Sequence, residues 1–209
     1  MVYSRLQYIS QGKTAGEQLE NIRLVLDAGC TWVQLRFKTE QLLDILEVAH
    51  QARKLTRSYH STLIINDHPH IAKEVDADGV HLGLSDMSIE EARQIVGQSK
   101  IIGGTANTYL DVAERIKGHC NYIGLGPLFH TTTKEKLSPR LGVDGLARIM
   151  EQIAAQGNQM PVFAIGGIKL EDVPAILNTG VAGVAVSGDL TQCADKKEWI
   201  NKFKILTNG

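Results

Sequence analysis

Three cysteines in 209 residues are too few and too scattered for a disulfide framework. Cys30, Cys120 and Cys193 are odd in number and form no CxxC pair, so they read as reduced, mostly buried thiols. No apolar run approaches the length of a membrane span, and the opening "MVYSRLQYIS" lacks the core of a signal peptide. Neither sign of charge dominates. A formal net charge of -1 gives no general attraction for nucleic acid or an anionic membrane, so any site for anions must be local. There is also no low-complexity linker and no domain boundary, nor a nucleophile–base pair that would point to covalent catalysis. What remains is a cytoplasmic protein with one domain over residues 1–209, long enough for one sizeable core. Self-association into a homo-oligomer stays open.

The chain alternates short apolar runs with longer segments of helical periodicity. Strands are predicted at residues 6–10, 31–37, 62–66, 79–83, 100–104, 121–126, 161–166 and 183–187, with helical segments after each. Ser88 followed by Glu91 is a capping-box pattern, and Gly29 and Gly180 sit where helices should end. Eight strand–helix units predict a parallel sheet with right-handed crossovers. Their economy of length favours an α/β fold of the closed (β/α)8 TIM-barrel type over an open, doubly wound sheet.

In such a barrel the chemistry sits at the C-terminal ends of the strands. Polar residues of this chain concentrate there. Side chains alternate along a strand, so Gln34, Arg36 and Lys38 share one face of "WVQLRFK", while Val33, Leu35 and Phe37 share the other. An amide and two cations then point into the mouth, where they need negative charge. Either a ligand or an internal carboxylate supplies it. The third strand ends in Asn66-Asp67 and the fourth is followed by Asp86. Two neighbouring carboxylates with no cysteine or histidine cluster suit Mg2+ completed by substrate phosphates; the competing explanation is that both cap the next helix. Gly166 and Gly167 in "AIGGI", with Ser187 in "GVAVS", lie where this fold cradles phosphate, although tight βα turns use glycine without any ligand too. The stretch "FHTTTK" follows the sixth strand and offers the hydroxyls of Thr131, Thr132 and Thr133 with the cation of Lys134.

Taken in order, "QLRFK", "IINDHPHIAKEVDADGVHLGLSD", "YIGLGPLFHTTTK", "VFAIGGI" and "GVAVS" resemble the thiamine-phosphate synthase family over nearly the whole chain. The family fold is a (β/α)8 barrel. The resemblance implies that Gln34, Arg36, Lys38 and Asn66 hold the diphosphate of hydroxymethylpyrimidine diphosphate, with Lys134 reaching it from the threonine loop. It implies Mg2+ on Asp67 and Asp86, and thiazole phosphate on Thr131, Thr133, Gly167, Val186 and Ser187. Thr105 stands where the family usually has a serine near the pyrimidine. Three positions depart from the family pattern: Phe37 replaces a common acidic residue, Leu84 a common glutamine and Asn107 a frequent histidine.

The implied reaction moves the pyrimidine methylene from diphosphate to the thiazole nitrogen. Charge develops on the leaving group, so Arg36, Lys38 and Lys134 become the catalytic set, acting with Mg2+ electrostatically. A thiazole tautomerase on the same fold, or a non-catalytic binder of thiazole phosphate, are the alternatives. Among the histidines, His68 and His70 are expected to face solvent at a helix start, and His81 to be a hydrogen-bonded barrel residue. His130 is the candidate for proton transfer.

Overall fold

The computed structural model describes residues 3–39, 41–131 and 139–207. Eight strands close into a barrel: β1 (Leu6–Ile9), β2 (Trp32–Leu35), β3 (Thr62–Asn66), β4 (Gly79–Leu82), β5 (Ile101–Ala106), β6 (Tyr122–Leu125), β7 (Val162–Ile165) and β8 (Gly183–Val186). Each pairs in parallel with its sequence neighbours, and β8 closes on β1 in the register Leu6–Val184 to Tyr8–Val186. The (β/α)8 barrel is therefore the fold, and the open sheet is excluded. The outer layer holds α1 (Ala15–Asp27), α2 (Leu42–Ser58), α3 (Pro69–Glu74), α4 (Ile89–Val96), α5 (Tyr109–Lys117) and α6 (Gly142–Ala155). It continues with a 3-10 turn (Leu170–Asp172), α7 (Val173–Leu177), α8 (Gly188–Gln192) and α9 (Lys196–Thr207).

Alternation along the strands divides the core in two. Val33, Leu35, Leu63, Ile65, Val80 and Leu82 pack outward with the helices in the main cluster. Trp32, Ile64, Ile101, Tyr122 and Phe163 form a separate cluster inside the barrel. Tyr3 stacks on Trp32 at 5.2 Å, and Phe163 meets Trp32 edge-on at 4.9 Å. This aromatic floor seals the N-terminal end, so the open mouth lies at the C-terminal ends of the strands.

Local signals set several boundaries. The Ser88–Glu91 capping box forms, with Glu91 N–H donating to Ser88 Oγ and Ser88 N–H to Glu91 Oε2. Gly29 and Gly180 adopt φ of 94° and 88° just past their helices, as placed from sequence. Most strand ends differ from expectation by about one or two residues, as β5 does in running to Ala106, and two departures bear on the mouth. The second strand ends at Leu35, not Phe37, because the Arg36 N–H donates to the Ser10 hydroxyl and the chain leaves the ladder there. The short helix α8 follows β8 where no helix was predicted.

Candidate active site

Four charged residues named from sequence meet on one side of the mouth. Asp67 and Asp86 are in hydrogen-bond contact, and burial first, then that bond and the Asp86 charge, push the Asp67 carboxyl up to about 7. The Arg36 and Lys38 cations act on Asp67 in the opposite direction, so all four share one field. Neither carboxylate caps the helix after it. The N-caps of α3 and α4 are His68 and Ser88, and Asp86 instead accepts the Gly83 N–H at 2.6 Å within its own loop. Asp67 also adopts a left-handed backbone, with φ 64°. Two crowded carboxylates, one of them reluctant to give up its proton, form a hard, all-oxygen donor set that fits Mg2+ with other ligands from substrate and water. Among the described residues no group of three or more His, Cys, Asp or Glu could hold a metal.

The opposite side is a cavity of about 280 Å³ lined by Arg36, Thr131, Gly167, Ser187 and Gly188, with His130, Lys169, Gln11 and Gln192 around it. Gly166 and Gly167 have φ of 94° and 69°. A Cβ at Gly166 would sit 2.7 Å from the Pro127 Cα, and one at Gly167 would overlap the His130 carbonyl oxygen. The start of the β6–α6 loop needs that closeness: Leu128 N–H donates to Ile165 O at 2.9 Å and Phe129 N–H to Gly166 O at 3.0 Å. Those bonds carry Thr131 to the rim. Asp189 braces the far wall, accepting from the Leu170 N–H at 3.0 Å and the Trp199 indole at 2.8 Å.

Beneath the mouth runs a buried polar chain. Gln34 Nε2 donates to Gln7 Oε1 at 3.0 Å, and Gln7 Nε2 donates to the Tyr122 hydroxyl at 3.1 Å. The Tyr122 hydroxyl lies 3.0 Å from His81 Nδ1, and His81 Nε2 lies 3.0 Å from Thr105 Oγ1. All five residues are buried. Thr105 is one layer nearer the mouth than His81, which pairs in register with Gly103. Its backbone is fixed from outside by Arg115, whose Nε donates to Thr105 O and whose Nη2 donates to Gly83 O.

The sequence-derived positions distribute as follows. Arg36, Lys38, Asp67 and Asp86 converge; Thr131, Gly167 and Ser187 converge across from them, and Arg36 borders both groups. Asn66 ends β3 in register with His81. Gln34 lies deeper than expected, 2% exposed and bonded to Gln7. The Val186 side chain packs outward in the core, leaving its backbone to face the rim. Thr132, Thr133 and Lys134 lie outside the described residues. Phe37 packs against the core, as alternation requires, and Leu84 is half exposed in the Asp86 loop. His81 is the hydrogen-bonded barrel histidine expected of it. His68 departs from expectation: it is half-buried beside Asp86, and burial lowers its pKa. His130 Nδ1 lies 3.2 Å from Arg140. Gln7, Gln11, Arg115, Tyr122 and Asp189 were not foreseen.

The family model described as thiamine monophosphate synthase matches residues 6–190. A thiamine-phosphate synthase of Flavobacterium psychrophilum is 50% identical over 206 residues, covering 99% of this chain and 97% of that protein. One from Bacteroides fragilis is 45% identical, covering 92% and 95%. Among solved structures, a thiamine phosphate pyrophosphorylase from Pyrococcus furiosus superposes with a TM-score of 0.84 at 30% identity, covering 98% and 95%.

Proposed function

This chain belongs to the thiamine monophosphate synthase family, and we propose that its mouth joins hydroxymethylpyrimidine diphosphate to thiazole phosphate, forming thiamine phosphate and diphosphate. The observation that carries the assignment of sites is the two-sided mouth. A carboxylate pair with two cations faces a glycine-walled cavity, and Arg36 borders both.

In this reading Arg36 and Lys38 bind the diphosphate and stabilise the negative charge that grows on it as the methylene carbon departs. Lys134 joins them from the threonine loop, and Asn66 and Gln34 complete the lining. Asp67 and Asp86 would hold Mg2+, which supplies further neutralisation of the diphosphate when bound. Thr131, Thr133, Gly167, Ser187 and the Val186 backbone hold the thiazole phosphate as a handle, so that its nitrogen meets the pyrimidine methylene without a bimolecular search. Thr105 contacts the pyrimidine. One barrel domain over residues 1–209 supplies these groups, and the setting is cytoplasmic; no described helix is long and apolar enough to cross a membrane.

A thiazole tautomerase would have no task for the Asp67–Asp86 pair or the two cations beside it. The test mixes purified protein with both substrates and Mg2+ and quantifies thiamine phosphate with and without EDTA. Product that disappears with EDTA is expected. Product unaffected by EDTA removes the metal from the reading, and no product, with weak binding of the pyrimidine diphosphate, favours the tautomerase.

A further inference from the structure

The polar chain under the mouth has a direction. Gln34 donates to Gln7, and Gln7 donates its own amide N–H to the Tyr122 oxygen. With the oxygen accepting from Gln7, the phenol proton is directed to His81 Nδ1 at 3.0 Å. Burial pushes the Tyr122 phenol pKa up, so the proton is present at any working pH. His81 then accepts at Nδ1 and carries its own proton on Nε2, which faces Thr105 Oγ1 at 3.0 Å. The threonine oxygen accepts that hydrogen bond, which leaves its own hydrogen to donate elsewhere.

We propose that Tyr122 and His81 are positioning residues that set the Thr105 hydroxyl as a hydrogen-bond donor to the pyrimidine substrate. The proposal rests on the functional reading that places the pyrimidine at Thr105. Its substrate partner is therefore an acceptor, a ring nitrogen of the pyrimidine and not the hydrogens of an amino group. The packing reserves space for this arrangement. A Cβ at Gly103 would overlap the Tyr122 ring, and one at Gly124 would sit 3.2 Å from His81 Cε1. Two inward glycines on adjacent strands make room for two inward rings. Arg115 fixes the Thr105 backbone, so the hydroxyl direction depends on the imidazole.

The test has one arm that reads the network and one that reads catalysis. Nitrogen-15 spectra of histidine-labelled wild-type protein, without substrate, report the His81 tautomer. The expected signals are a protonated Nε2 and an unprotonated Nδ1. In Tyr122→Phe, which keeps the ring, the Nδ1 signal should move as its partner is lost. In steady-state kinetics Tyr122→Phe should lower kcat about tenfold, the worth of one oriented hydrogen bond, with KM for thiazole phosphate unchanged. Thr105→Val should lose as much, and the double variant no more than either alone. An Nδ1-protonated His81 in the wild type overturns the proposal, as do additive losses or an undiminished Thr105→Val. Wild-type protein that makes no thiamine phosphate overturns the functional reading instead, and the tautomer spectrum still decides the network.

Discussion

Replacing Asp67 with asparagine tests whether the mouth is built for a cation. Without metal, burial and Asp86 push the Asp67 carboxyl from 3.8 up to about 7. Between those values the folded protein keeps a proton that the unfolded chain releases. Stability of the metal-free protein is therefore fully present below about 3.8 and falls as pH rises through the window to about 7. At about 1.4 kcal/mol per pH unit, the whole window is worth at most about 4 kcal/mol, and the part between pH 5 and 8 about 2–3 kcal/mol. Asparagine keeps the side-chain shape and tolerates the left-handed backbone at 67, where alanine would add strain. Urea unfolding in EDTA at both pH values measures the difference. Wild type should lose about 2–3 kcal/mol more than Asp67→Asn on going to pH 8, and Mg2+ should restore wild type alone. Equal pH slopes in the two proteins would refute the electrostatic reasoning. So would a Mg2+ effect that survives the substitution.

Gly167→Ala should lose about 1–3 kcal/mol in thermal unfolding, since the residue has φ of 69° and its Cβ would overlap the His130 carbonyl. It should also raise KM for thiazole phosphate in kinetics, while KM for the pyrimidine substrate holds. Asp78→Ala is the contrasting case at the opposite end of the barrel. It removes the partner of Arg53 at 2.8 Å and the acceptor of the Leu63 N–H at 2.7 Å, and should cost about 2–4 kcal/mol in urea unfolding with both KM values unchanged.

Strand existence was legible in this chain and strand ends were not. Short β-branched runs such as "TLIIN" announce themselves, and β3 covers those five residues. The end of β2 depends on the Ser10 hydroxyl taking the Arg36 N–H, a contact 26 residues away in sequence. No local pattern encodes that. Helix α8 is only five residues, "GDLTQ", too short to show a helical period. The Ser88–Glu91 box was readable because both of its bonds close within three residues.

The candidate site divides by the same physics. Arg36 and Lys38 were readable because two cations on one strand face demand an explanation. Asp67 and Asp86 were visible, but choosing between helix caps and a paired site needed the fold, which gives the caps to His68 and Ser88. The Gln34–Gln7–Tyr122–His81–Thr105 chain draws on β1, β2, β4, β5 and β6, and none of these hydrogen bonds is local. A tyrosine in "NYIGLG" looks like ordinary strand filler until closure turns it inward. Yet one signal was available. Inward positions of such barrels usually carry branched aliphatic side chains, while here Gly103 and Gly124 both face inward from neighbouring strands. Space left on two adjacent strands must be filled from elsewhere: the Tyr122 ring takes it beside Gly103, and His81 with Ile165 takes it beside Gly124. Rings with polar atoms cannot fill a dry interior without partners, so a tyrosine and a histidine in that space bring with them the hydrogen-bonded network that ends at Thr105.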